Sequence, residues 1–418
     1  MKDFVLKIIY RILASYARVV IDRHKPFVVG ITGSVGKGSA KEAIYQVMAD
    51  HFGAEQVRKN YGSMNAEIGI PLTILGYVSV PNKFWWPFFF ISALPRLFVK
   101  NYPAYLVLEM GVEHPGDIDY FSTIVRPDIA VITSTAPVHL VNFKSYEQFQ
   151  KEKCSLAEKI TPEGVAVINN DDRFLNRYAL NHEKVITVGL DDKADYHADS
   201  VELKLDGTSF RIETVGQKIS VKSKLFGWQF IYSDLFAFAV GQRLNIQSLD
   251  IKKSLEKVEP VAGRMRIISG KKECTIIDDT YNASPAAVEA ALDVISEIKY
   301  AGRKVFIFGN MNELGSYEKE AHEEVAKYAR GKVDLAIFAG KNAKMMAEIF
   351  GEKAVAFADR RELEEKIDGL IFEKDLILIK ASQNNNFFEE ITKKLMKNPA
   401  EASKLLVRQG SFWAKRKK

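Results

Sequence analysis

The sequence predicts an α/β protein in which a P-loop central domain with a mostly parallel sheet is followed by a Rossmann-like C-terminal α/β domain. Three observations carry this expectation. The run Gly30-Ile31-Thr32-Gly33-Ser34-Val35-Gly36-Lys37-Gly38-Ser39 lies between an apolar, strand-like segment at 27–31 and a helix-forming one at 40–50. From there onward short apolar runs alternate with amphipathic ones, the pattern of a parallel sheet covered by helices. A second series of the same kind starts after Glu259-Pro260-Val261-Ala262-Gly263, where a proline and a glycine mark a boundary.

Taken in order, residues 1–25 read as a separate amphipathic helix, because Lys7, Arg11, Ser15, Arg18 and Asp22 fall three or four apart and form one narrow polar stripe. The glycine run that follows aims backbone N–H groups and a helix N-terminus at one place, which suits phosphates, and Lys37 adds a positive charge. Gly33, Ser34, Val35, Gly36, Lys37, Gly38 and Ser39 are therefore the expected nucleotide contacts. The usual pattern has Ser or Thr directly after the lysine to hold Mg²⁺. Here Gly38 stands at that place, so Ser39 or Thr32 takes the metal role, or the metal relies on other ligands.

Runs at 105–108, 129–132 and 165–168 read as buried strands. Residues 197–223 switch to period-two alternation with Gly207 and Gly216 as turns, an antiparallel excursion. Helical runs at 229–243 and 247–258 close a central domain spanning 26–259. Over 260–418 the reading expects strands at 274–278, 304–308, 334–338 and 375–379, helices at 286–298, 317–330, 342–350 and 386–397, and a basic tail.

The chain has 418 residues, enough for two or three domains, and a net charge of +6 concentrated at its two ends. The near-neutral body argues against a nucleic-acid-binding surface. Two cysteines, Cys154 and Cys274, lie far apart without metal-like spacing, which favours a reducing compartment over a disulfide scaffold. No signal peptide is apparent, so a cytoplasmic location is expected. Charges interrupt the first helix, and Pro87, Pro95 and Arg96 interrupt the apolar cluster around Phe84-Trp85-Trp86, so neither spans a bilayer. Two readings stay open for both segments: peripheral contact with the inner face of the membrane, or packing on the protein itself or in a dimer.

Glu109 ends a predicted strand, where ligands gather in open α/β sheets, and faces the loop as a Mg²⁺ ligand. His139 lies just past the next strand, and Lys153 follows on a helix. Singly these are ordinary residues. Together they resemble the Mur ligase family at spaced motifs over residues 26–398: the phosphate loop, Asn65-Ala66-Glu67-Ile68-Gly69-Ile70-Pro71-Leu72-Thr73, Leu108-Glu109-Met110-Gly111 with His114-Pro115-Gly116-Asp117-Ile118, Arg126-Pro127-Asp128, His139-Leu140 and Asn169-Asn170-Asp171-Asp172. Gly263-Arg264, Asp278-Asp279-Thr280-Tyr281-Asn282-Ala283-Ser284-Pro285, and Gly309-Asn310-Met311-Asn312-Glu313-Leu314-Gly315 with His322 continue the likeness. It is nearest the branch that adds D-alanyl-D-alanine.

The resemblance implies an ATP-dependent amide ligase working through an acyl phosphate, with a muramyl-peptide precursor and D-alanyl-D-alanine or a similar amine as partners. It implies that Ser39, Glu109 and His139 hold Mg²⁺, that Lys153 becomes an N-carboxylysine metal ligand, and that Asn282 and Arg264 contact the nucleotide. Lys37, Glu109, His139 and Lys153 are thus the expected catalytic set. The sequence departs from the family pattern at Gly38, at Lys153-Cys154-Ser155, at Ser284 and at Gln383. Residues 1–25 leave no room before the loop for the additional domain that grips a UDP sugar. A lipid-linked acceptor, a peptide polymer and a non-catalytic nucleotide-binding role are the alternatives.

Overall fold

The computed structural model describes residues 2–62, 64–80, 86–136, 142–383 and 386–417. It divides into two compact units, one of residues 1–201, 210–221 and 230–258, the other of 202–209, 222–229 and 259–418.

The first sheet runs β1 (Phe27–Thr32), β2 (Val57–Lys59), β3 (Tyr105–Glu109), β4 (Ile129–Ile132), β5 (Val165–Asn169), β6 (Val185–Gly189), β7 (Tyr196–Lys204), β8 (Gly207–Thr214) and β9 (Gln217–Ser223). Its spatial order is β2-β3-β1-β4-β5-β6-β7-β8-β9. Pairing is parallel from β2 through β7, with Gly30 opposite Leu108 on one side and Ala130 on the other. β1 and β4 are apolar and buried on both faces, the condition a parallel sheet under helices imposes. The turns between β7, β8 and β9 are too short for a crossover, so these strands form a meander. The chain's central β1 delivers its carboxyl end straight into the glycine loop and the helix Lys37–Phe52.

The helix Lys2–His24 packs on this unit. Leu13, Ala14, Ala17 and Val20 are buried in one cluster with Leu72, Leu106, Leu108, Phe121 and Phe149, while Arg11, Ser15 and Arg18 face solvent. Of the two readings of this helix, packing on the protein accounts for its Leu13–Val20 stripe. Phe84 and Trp85 lie outside the described residues; the helix Trp86–Ala93 follows, with Phe90 edge-on to Tyr16. No helix among the described residues is long and apolar enough to cross a membrane.

The second sheet contains β10 (Arg266–Ser269), β11 (Thr275–Asp279), β12 (Lys304–Phe308), β13 (Leu335–Ala339), β14 (Ala354–Phe357) and β15 (Leu376–Lys380), in the order β10-β11-β15-β12-β13-β14. Only β10 is antiparallel to its neighbour. The four strands expected here lie within one residue of their expected positions. β10 and β14 were not expected, nor was the helix Arg360–Lys366. Both strands are edges with half-exposed residues, so neither shows the apolar run that betrays a central strand. The helix does carry a start signal, since Asp359 accepts from the N–H groups of Arg361 and Glu362.

Leu13→Ala is expected to cost about 2–4 kcal/mol, as for a fully buried leucine. Urea unfolding of the full chain measures it; an unchanged midpoint would show that the helix does not pack on the core.

Candidate active site

The phosphate loop is built by glycines where other residues are excluded. Gly33 has φ +140° and a Cβ there would lie 2.1 Å from the Thr133 hydroxyl; Gly36 has φ +87°. The loop is clipped to the end of β4. Thr133 Oγ1 donates to the Val35 carbonyl at 2.6 Å, the Ser34 N–H donates to the Ser134 carbonyl at 2.9 Å, and the Val35 N–H reaches Ser134 Oγ at 3.2 Å. Ser34 Oγ donates to the Ala136 carbonyl at 2.6 Å. The helix that follows has no side-chain cap and no acidic residue in its first turn, so its leading N–H groups keep their positive field. Lys37 Nζ curls back to the Gly33 carbonyl at 2.7 Å.

Glu109, at the carboxyl end of β3, is buried next to this loop. A Cβ on Gly38 would stand 3.7 Å from its Oε2. Its Oε1 accepts from Asn65 Nδ2 at 2.9 Å, and Lys41 Nζ lies 3.5 Å from Oε2. Asn60 grips the Glu109 backbone on both sides, accepting from its N–H and donating to its carbonyl, each at 2.9 Å. The sequence carries no local signal for Asn60 or Lys41 in this service, whereas Asn65 belongs to the motif of residues 65–73. Ser39 and Thr32 are buried at the same edge, and the Thr32 hydroxyl has no hydrogen-bond partner among the described residues. A carboxylate, buried hydroxyls and an orphaned oxygen at the mouth of a phosphate loop fit a hard divalent cation.

Lys153 is on the helix Tyr146–Glu158, which Ser145 caps by accepting from the Gln148 N–H. Its side chain is 2% exposed and lies with Nζ 4.4 Å from the Phe149 ring centroid. No carboxylate among the described residues comes within ion-pair distance of it. Burial, and then the like charge of Lys37, hold its pKa well below the ordinary lysine value, against weaker attraction from Glu152 and Asp117. Lys151, two residues away, is exposed and pairs with Glu147 at 2.7 Å. His139 lies outside the described residues. Glu67, His114 and Asp117 bring ligand atoms within 4.8 Å of one another, and Asp117 is held by the N–H groups of Glu113 and His114 at 2.7 Å.

In the second unit the segment 280–283 leaves the carboxyl end of β11. Asn282 accepts at Oδ1 from the Gln383 N–H at 3.4 Å, and the Arg264 guanidinium lies 4.3 Å from the Tyr281 ring centroid. The buried His322 accepts from the Met311 N–H at Nε2 and contacts the Glu318 carbonyl at Nδ1, which fixes one neutral tautomer; burial lowers its pKa. That is a structural histidine. A groove of about 620 Å³ lined by Lys304, Arg330, Asp334 and Lys353 opens at the amino ends of β12 to β14, the edge away from Asn282.

Residues 31–241 match the model of the Mur ligase middle domain, and residues 263–383 match that of the Mur ligase glutamate ligase domain. The chain belongs to the Mur ligase family. It is 28% identical over 394 residues to the UDP-N-acetylmuramoyl-tripeptide--D-alanyl-D-alanine ligase of Bacillus subtilis, covering 93% of this chain and 79% of the relative. To the enzyme of the same name from Escherichia coli it is 27% identical over 377 residues, covering 89% and 77%. Among solved structures, MurF from Acinetobacter baumannii superposes with a TM-score of 0.78 at 24% identity, covering 92% of this chain and 80% of that one. The Mur ligase fold therefore accounts for both parallel sheets and for the phosphate loop between β1 and its helix.

Asp278 in β11 is fully buried; Thr280 and Thr392 donate to its Oδ1 at 2.8 and 2.9 Å, and its Oδ2 lacks a partner among the described residues. Burial pushes its pKa up from 3.8 to about 7. The folded state thus keeps a proton that the unfolded state gives up, and stability falls as pH rises through that window. Asp278→Asn, which cannot ionise, is expected to gain on the order of 2–4 kcal/mol relative to the parent between pH 4 and pH 8. Urea midpoints at both pH values test this; a pH-independent difference would contradict it.

Proposed function

We propose that this chain is an ATP-dependent, ADP-forming amide ligase that joins D-alanyl-D-alanine, or a similar amine, to the carboxylate of a muramyl-peptide precursor of the cell wall. The names of the matched relatives support the substrates. The observation on the chain itself that carries the chemistry is Lys153: a buried amine without a carboxylate in ion-pair distance among the described residues, its pKa lowered by burial and then by Lys37.

The reaction has an electrostatic obstacle, because an anionic carboxylate must approach an anionic γ-phosphate. Its oxygen attacks phosphorus, the bond to the bridging oxygen breaks and ADP leaves. The amine nitrogen then attacks the acyl carbon and loses a proton, and phosphate departs with the former carboxylate oxygen. In this reading Gly33, Ser34 and Val35 shape the loop, the Ser34 and Val35 N–H groups being held by Ser134, and the N–H groups of Gly36 to Ser39 with the Lys37 ammonium grip the phosphates. Mg²⁺, when bound, neutralises charge between the reacting anions. Glu109, His139, Ser39 or Thr32, and Lys153 as N-carboxylysine would hold it. Only a neutral lysine amine adds CO₂, and the depressed pKa of Lys153 supplies one; addition releases a proton and turns a repelling cation into an anionic oxygen ligand. Asn282 and Arg264 contact the nucleotide in this reading.

Lys153→Ala is expected to lower phosphate release, measured with ATP, the tripeptide precursor and D-alanyl-D-alanine, by at least about 100-fold. The parent enzyme should slow when bicarbonate is stripped and recover when it is restored. Activity indifferent to both would overturn the role of Lys153.

A further partner is favoured by the surface. Ile91, Leu94 and Phe98 succeed one another at three- to four-residue intervals and are 68%, 42% and 64% exposed, with Val99 and Lys100 following. Arg23 lies over the Phe98 ring, and Lys25 is exposed nearby in sequence. Apolar anchors beside cations fit the interface of an anionic bilayer, where a lipid-linked acceptor would be within reach. Co-sedimentation with phosphatidylglycerol vesicles, weaker with phosphatidylcholine and lost in Phe98→Asp, is the expected outcome. Equal recovery with and without vesicles would contradict it.

A further inference from the structure

We propose that Arg408 is a positioning residue for the nucleotide: it clamps the 280–283 segment in the shape that presents Asn282. The proposal rests on the reading of Asn282 as a nucleotide contact. Arg408 lies beyond the last residue matched by the family model, 383, in the tail that follows the helix Glu389–Leu395.

Four successive carbonyls of that segment are captured by side chains. Arg408 Nη2 donates to the Thr280 carbonyl at 2.6 Å and Nη1 to that of Tyr281 at 3.2 Å. Lys380 Nζ donates to the Asn282 carbonyl at 3.1 Å, and Ser382 Oγ to that of Ala283 at 2.9 Å. Lys380 is itself held by the Asp279 carboxylate. Such a run of satisfied acceptors outside a helix or strand fixes the backbone before any ligand arrives, which reduces the ordering cost of binding.

Arg408 is in turn fixed by a fork on Glu389, with Nε 3.1 Å from Oε1 and Nη2 2.8 Å from Oε2. The Glu389 side chain is 0% exposed and the Arg408 side chain 8%. The arginine backbone adopts φ +51°, a left-handed conformation that a non-glycine residue holds only where its surroundings impose it. Lys417 also reaches Glu389 Oε1, at 2.9 Å, so neutralising the buried carboxylate does not by itself require an arginine. What only the guanidinium plane does is bridge that carboxylate to two adjacent carbonyls.

Three variants of the full chain separate positioning from charge compensation: Arg408→Met, Arg408→Lys, and Arg408→Met combined with Glu389→Gln. Calorimetric titration with ATP and with ITP is the readout, alongside thermal midpoints. Arg408→Met is expected to weaken ATP binding about tenfold and to narrow the preference for ATP over ITP, with Arg408→Lys intermediate. The double variant is expected to regain the thermal midpoint and not the affinity. A double variant with parental ATP affinity would overturn the clamp, since Arg408 would then serve Glu389 alone. Asn282→Ala distinguishes the underlying reading: if it leaves ATP affinity intact while the double variant stays weak, the Asn282 contact fails and the clamp stands.

Discussion

The hydrogen bonds between the end of β4 and the glycine loop are the constraint on which the first unit depends. A loop that gives its N–H groups to phosphates needs its other polar atoms engaged elsewhere. Thr133 and Ser134 do this by taking the Val35 carbonyl and the Ser34 and Val35 N–H groups. Because β4 is the parallel neighbour of β1, the residues after one strand brace the residues after the other. Gly33 is the cost of that closeness, since any Cβ would strike the Thr133 hydroxyl. With the loop braced, Lys37, Glu109 and the buried hydroxyls of Ser39 and Thr32 gather at one strand edge.

Charged groups are buried at that edge, and Lys153 among them has no ion pair among the described residues. Glu109 is buried with the Asn65 amide 2.9 Å from Oε1 and the Lys41 ammonium 3.5 Å from Oε2. Lys153 is buried with an aromatic ring against it and two carboxylates only at longer range. Burying charges so sparsely paired is destabilising, and sites of this kind are where proteins place chemistry. The second unit solves a related problem by the opposite means. Around 280–283 every carbonyl has a donor: the cations Arg408 and Lys380, each locked to a carboxylate, and the Ser382 hydroxyl.

Much of this was legible in the residues. The central strands could be read because burial on both faces makes them continuously apolar, as in Phe27–Thr32 and Ile129–Ile132. The loop could be read because its glycines obey a local backbone requirement. The family resemblance, through the spacing after His139, implies Lys153, and the helix turns Lys153 inward and Lys151 outward. Edges such as β10 and β14 were not legible, because half-exposed strands lose the apolar signal. Nor were Asn60, Lys41 and Arg408, whose work depends on partners brought together by the tertiary fold; Arg408 and Thr280 stand 128 positions apart. The amphipathic helix Lys2–His24 was ambiguous for the same reason, since a stripe of Leu13, Ala14, Ala17 and Val20 suits a membrane or a core equally well until the core is present.

Oxygen isotopes report whether this site activates a carboxylate by phosphorylating it. The muramyl-tripeptide acceptor, UDP-linked and lipid-linked in parallel, is labelled with ¹⁸O in the reacting carboxylate and turned over with ATP and D-alanyl-D-alanine, and the released phosphate is analysed by mass spectrometry. One ¹⁸O is expected in each phosphate formed with the acceptor that is used. Amide product accompanied by unlabelled phosphate would contradict that activation.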